Sequence, residues 1–148
     1  MSVGTVLGPE SFSVSRGDLV RYAGASGDFN AIHFSPAAAA AGGLPDVVAH
    51  GMFTMGLALR LVNDWTGDPG AVCGCQAQFL RAVVVPDGVG TVISVSGTIT
   101  EIQPSGLATV RLEARCQDKQ IARVTATVRL PADSSGHRAG AGTTKTQD

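Results

Sequence analysis

No sign of charge dominates this sequence: 11 lysines and arginines stand against 12 acidic residues, for a formal net charge of -1. Without a basic cluster there is no electrostatic footprint for nucleic acid or an anionic membrane, so neither is an expected partner. The chain also lacks the run of about 18 uninterrupted apolar residues that a spanning helix requires. Its first residues, Met1 to Gly4, are not a basic segment leading into an apolar one, and a cytoplasmic location is the expectation. Cysteine is scarce. Cys73, Cys75 and Cys116 make an odd count with no zinc-site spacing, which fits a reducing compartment. Cys73 and Cys75 would share one face of a strand, and they read as small, partly buried residues rather than a metal or redox pair.

At 148 residues the chain is long enough to bury one core without staples, so a single domain over residues 1–131 is expected. Phe12 and Val14 alternate with polar neighbours in residues 11–15, a short strand. Ser15 and Asp18 have the spacing of a capping box opening a helix through Tyr22, with Gly24 and Gly27 ending it. Ser35-Pro36 is a hydroxyl cap before a proline at the first helical position, and the alanines that follow stop at Gly42-Gly43. The longest helix candidate covers residues 51–64. Met52, Met55, Leu59 and Val62 mark one face and Phe53, Leu57 and Leu61 the others, so it should lie inside the molecule. Beyond the turn formers of residues 66–70 the pattern turns strand-like. Strands are expected over residues 71–85, 90–102, 107–116 and 120–130. Residues 132–148 have no apolar period and read as a disordered tail. One apolar helix followed by four long antiparallel strands calls for an α+β hotdog architecture, a curved antiparallel sheet wrapped around a central hydrophobic helix. The groove and edge left by such a sheet make pairing of two units the expectation.

The chemistry concentrates in two short segments. Gly27-Asp28-Phe29-Asn30-Ala31-Ile32-His33 sets one carboxylate beside one imidazole. On an ideal helix Asp28 and His33 would point about 140° apart, so a shared site requires the chain between them to turn out of helix. Asn30 suits such a turn. The second segment, Ala49-His50-Gly51-Met52, offers the amide of Gly51 at the start of the apolar helix. This is spacing for proton transfer, although Asp28 alone also reads as a loop cap and His33 as a hydrogen-bonded structural histidine. His50 can cap or orient the helix entrance. Trp65 and Phe79 read first as core or interface aromatics, and Thr54 either donates to a ligand or bonds back to the preceding turn.

Residues 22–33 resemble the signature of the MaoC-like (R)-specific hydratase and dehydratase family, which has the hotdog fold. Residues 49–56, with Trp65-Thr66-Gly67-Asp68-Pro69-Gly70-Ala71-Val72, further resemble the catalytic beta subunit of actinobacterial (3R)-hydroxyacyl-carrier-protein dehydratases. The resemblance spans roughly residues 10–130. It implies a dehydratase, reversibly an enoyl hydratase, acting on acyl thioesters of coenzyme A or a carrier protein. It puts the catalytic pair on Asp28 and His33 and the oxyanion donor on the Gly51 N–H. It also implies a homodimer or a heterodimer with a second hotdog subunit. No metal or organic cofactor is called for, because side chains and water suffice to move the protons. Two departures stand out: many relatives have proline where this chain has Ala31, and Leu59 lies near a hydroxyl that some homodimeric hydratases carry. Hotdog thioesterases place a carboxylate on the central helix, and residues 51–63 contain none. A non-catalytic acyl-binding subunit would lack the Asp and His that are present here.

Overall fold

The computed structural model describes residues 1–130; the tail expected over residues 132–148 lies outside them. The elements run β1 (Val6–Val14), α1 (Arg16–Ser26), a 3-10 turn (Ala31–His33), α2 (Pro36–Ala41), α3 (Gly51–Thr66), β2 (Val72–Phe79), β3 (Thr91–Ile102), β4 (Leu107–Cys116) and β5 (Lys119–Arg129). The strands form one antiparallel sheet in the order β1-β3-β4-β5-β2. Period-2 alternation puts Ile93, Val95 and Ile99 of β3, Val110 and Leu112 of β4, and Val124, Ala126 and Val128 of β5 on the buried face. Helix α3 lies across that face and packs against all five strands, through Ala58, Leu61 and Val62. Each large side chain so buried contributes about 1.5–3 kcal/mol of transfer free energy. This is the expected helix held in a curved sheet.

Several boundaries differ from expectation for physical reasons. β1 starts at Val6 rather than Ser11, because it pairs with β3 on both sides of an irregularity between Leu7 and Glu10. Gly8-Pro9 occupies that irregularity. The Ser15/Asp18 capping box forms: the Ser15 N–H donates to Asp18 Oδ2 at 2.8 Å and the Asp18 N–H to Ser15 Oγ at 3.3 Å. The Ser15 hydroxyl also donates to Asp18 Oδ2 at 2.6 Å, and this bond, with that from the Ser15 N–H, holds the Asp18 carboxyl below its usual range. The stabilisation they supply is complete above the ordinary aspartate value and is lost as pH falls through the depressed one. Helix α1 runs through Gly24 and ends only at Gly27, which takes a left-handed φ of 77° and donates its N–H to Ala23.

The expected long strand over residues 71–85 is two pieces. β2 pairs with β5 as far as Phe79↔Ala122. The amides of Leu80 and Arg81 then share the Ile121 carbonyl, and the chain leaves the sheet. Residues 82–85 are apolar, and they pair instead with the segment entering α3: Ala49 N–H donates to Val83 O at 2.8 Å and Val85 N–H to Val47 O at 2.9 Å. An apolar run announces a buried strand but not its partner. Arg16 clasps this crossing, donating to Val85 O at 3.0 Å and pairing with Asp46 at 2.7 Å. Arg16→Ala should cost about 1–2 kcal/mol, since charge-assisted bonds are the stronger kind but these are partly solvated. Urea denaturation of the variant measures it.

Helix α3 is not fully enclosed by the described residues: Met52, Gly56, Arg60 and Asp64 are exposed. Cys73 and Cys75 are likewise exposed rather than partly buried. Among the described residues β2 is an edge strand with β5 as its single neighbour, and nothing packs over the outer face of α3.

Candidate active site

The segment between α1 and α2 is built from side chains that bond to nearby backbone. Ser26 Oγ accepts the Asp28 N–H at 3.2 Å, Asp28 Oδ1 accepts the Asn30 N–H at 3.2 Å, and Asn30 Oδ1 accepts the Ile32 N–H at 3.3 Å. Such Asx turns break the helical path and begin the 3-10 turn that ends on His33. Asp28 and His33 therefore come together instead of diverging. Asn30 sits at φ -60°, ψ 122°, the extended conformation a following proline prefers, and Ala31 is the first residue of the turn, where its N–H has no helical acceptor. Ala31→Pro should therefore stabilise the protein by about 0.4–1 kcal/mol, read as a higher thermal midpoint with turnover preserved.

His33 is 7% exposed, and its Nδ1 lies 2.7 Å from the Val48 carbonyl. A carbonyl only accepts, so Nδ1 carries the proton and Nε2 is the nitrogen left to exchange one. His50 is 1% exposed; its Nε2 lies 3.1 Å from the Asp28 carbonyl, which fixes the opposite tautomer. The two rings stack with centroids 3.7 Å apart and planes 23° from parallel. Burial lowers the His50 pKa below its ordinary value, helped by the charge His33 would carry and opposed by the bond to Asp28. A lowered folded-state value makes His50 stabilising above the unfolded value of about 6.5. That contribution is lost as pH falls through the folded value, when the unfolded chain takes up the proton first.

One carboxylate oxygen of Asp28, one ring nitrogen of His33 and one of His50 lie within 4.8 Å of one another. The donor types suit a metal ion better than their arrangement does. One nitrogen of each ring is already bonded to a carbonyl, and with the rings stacked 23° from parallel the remaining lone pairs lie in two separate, near-parallel planes.

His33 lines a cavity of about 430 Å³, together with Ile32, Gly51, Thr54, Phe79 and Leu80. Asp28 is exposed and does not line it, but its carboxylate comes within 4.8 Å of an imidazole that does. Gly51 opens α3, whose N-terminus has no side-chain cap, so the partial positive charge of its first amides is free to meet a ligand. A Cβ on Gly51 would stand 3.2 Å from three ring carbons of Phe79; glycine leaves room for that ring and for an incoming group. Thr54, 3% exposed, has its hydroxyl 3.5 Å from the His50 carbonyl, a weak back-bond. A larger depression of about 560 Å³ on the outer sheet face, lined by Gln76, Arg111 and Arg123, contains neither imidazole nor helix amide. Sequence reading placed Phe79 in a core or interface. Its end-of-strand position beside the break at Leu80 puts it in the cavity wall, and only the pairing of residues 82–85 reveals that.

A curved sheet around α3 defines a hotdog protein, and a carboxylate and an imidazole stand together at the helix entrance. The chain belongs to the MaoC-like domain family, whose model matches residues 2–117. It is 31% identical over 135 residues to the 3-hydroxybutyryl-CoA dehydratase of Methylorubrum extorquens, spanning 87% of this chain and 83% of that one. It is 40% identical over 74 residues to 3-hydroxyacyl-thioester dehydratase X of Mycobacterium tuberculosis, which covers 50% of this chain but only 25% of that one. A solved MaoC-like dehydratase superposes with TM-score 0.84 at 38% identity, over 88% of this chain and 41% of the other. The C-terminally truncated HadBC (3R-hydroxyacyl-ACP dehydratase) complex of M. tuberculosis shares the fold, with TM-score 0.71 at 21% identity over 86% and 97% of the two chains.

Proposed function

We propose that this protein is a hydro-lyase that interconverts (3R)-hydroxyacyl and trans-2-enoyl thioesters, with Asp28 and His33 as its acid–base pair and the Gly51 N–H as oxyanion donor. The observation that carries this reading is the approach of the Asp28 carboxylate and the His33 imidazole beside a cavity that holds an uncapped helix start. In dehydration the C2–H and C3–O bonds break, the C2=C3 bond forms and water leaves. One group takes the C2 proton while the other guides a proton onto the departing hydroxyl. His33 exchanges protons through Nε2, since Nδ1 is committed to Val48. The proton that His33 takes from C2 passes to the departing hydroxyl, which the Asp28 carboxylate orients through a hydrogen bond; in reverse the same carboxylate orients the attacking water as it gives its proton to His33 and C2 receives one. Negative charge growing on the thioester oxygen meets the Gly51 amide, reinforced by the α3 dipole.

The substrate class is an acyl thioester of coenzyme A or of an acyl carrier protein, and the setting is cytoplasmic. The partner is a second hotdog unit, either another copy or a related subunit. The open β2 edge and the uncovered outer face of α3 support this. So does length: the matched stretches, half of this chain in one case and 88% of it in the other, take up 25% of dehydratase X and 41% of the solved MaoC-like dehydratase, which leaves room in each for a second unit. The test is a hydration assay with crotonyl-CoA on the purified protein and on any co-purifying subunit, with native mass spectrometry alongside. Conversion to 3-hydroxybutyryl-CoA by a species of two hotdog units is expected. Release of free thiol without hydroxyacyl product, or a protein that stays monomeric, would contradict the reading.

A further inference from the structure

His50 has no part in the reaction described above, yet it is the most buried polar side chain in the described structure. It does not cap α3, since its side chain makes no bond to the amides of the helix that it precedes. Instead its Nε2–H donates to the Asp28 carbonyl across 22 positions of sequence, and its ring lies flat against that of His33. Tyr22 also packs against the His50 ring in a T-shaped contact, with 4.9 Å between centroids. Among the described residues its Nδ1 has no hydrogen-bond partner. A leucine or phenylalanine would fill the same space without burying an unpaired nitrogen, so packing alone does not explain a histidine here.

We propose that His50 is the positioning residue of the site, holding the backbone of Asp28 and the ring plane of His33 in one fixed relation. This rests on the reading of Asp28 and His33 as the acid–base pair. A single rigid ring that touches both partners converts two independent freedoms, the swing of the loop and the rotation of the imidazole, into one geometry before substrate arrives. The ionisable groups facing it are Asp28, His33 and Tyr22. Burial disfavours the charged form of His50, and His33 opposes a second positive charge at stacking distance, so the neutral ring that donates to Asp28 is the favoured form.

Three variants separate its two contacts: His50→Phe keeps the stack and loses the donor, His50→Gln keeps a donor and loses the ring, and His50→Leu loses both. The readouts are kcat and KM for crotonyl-CoA hydration by the intact protein with any partner, and imidazole nitrogen NMR of His33. His50→Leu should lower kcat by about 10–100-fold with KM within about threefold. His50→Gln should recover part of that loss. In wild type the His33 ring should give sharp signals from one environment, and in His50→Leu signals broadened by exchange between ring orientations, the tautomer itself being set by Val48. If His50→Leu keeps kcat within about twofold of wild type, or if the His33 ring keeps its single sharp environment in that variant, the proposal is overturned. Should His50→Leu fail to fold, His50→Phe and His50→Gln decide: wild-type kcat and His33 ring signals in both overturn it. A wild-type protein without hydratase activity would defeat the proposed function instead, and the NMR comparison would still decide the positioning role.

Discussion

Asp28→Asn and His33→Ala each lower kcat for hydration of a crotonyl-type thioester by about 10²–10⁴-fold, the usual worth of a positioned acid or base. The two variants reach that loss by different routes. Asn keeps an oxygen that can accept the Asn30 N–H, so the turn survives Asp28→Asn and only the charge is lost. Removing His33 leaves the Val48 carbonyl without its buried donor and strips one face of His50. A stability loss of about 1–3 kcal/mol should therefore accompany the rate loss. Circular dichroism and thermal melts separate the two effects. The double variant should fall little further than the worse single one, because the groups act on one proton inventory.

Leu19→Ala is expected to destabilise the protein by about 2–5 kcal/mol, the range for truncating a buried leucine. Leu19 is fully buried, and it and Ala23 are the only buried residues of α1. The helix therefore has little else to hold it to the core. Because α1 carries Tyr22 against His50 and ends at Gly27 beside the Asp28 loop, its loosening reaches the site. At temperatures where the variant is still folded, kcat should drop while substrate binding changes less. Chemical denaturation gives the first number and steady-state kinetics the second; wild-type stability would show that α1 is anchored elsewhere.

Much of the fold was legible because local and tertiary preferences agree. The alternation in β3, β4 and β5 and the Pro-Ser-Gly turn between the first two located those strands within one residue at each end. The Ser15/Asp18 and Ser35-Pro36 signals located two helix starts, since capping is decided by neighbours in sequence. What failed depended on partners. Residues 82–85 look like a continuation of β2, and only the availability of residues 47–49 sends them across the α3 entrance. The apolar circumference of α3 suggested full enclosure. One side of it is left uncovered by the described residues.

The candidate site divides the same way. The turn at Asn30 that lets Asp28 and His33 meet is a local property, readable from residue types and spacing. The contacts of His50, the Val48 carbonyl that sets the His33 tautomer, and the Phe79 ring against Gly51 all join residues distant in sequence. Nothing in a single sequence aligns them.

Hydration of crotonyl-CoA in heavy water tests the acid–base pair most directly, because it follows the proton that these groups are said to move. Wild type should give (3R)-hydroxybutyryl-CoA with a single deuterium at C2, and both Asp28→Asn and His33→Ala should lose formation and labelling of that product together. Undiminished deuterated product from both variants would contradict the account.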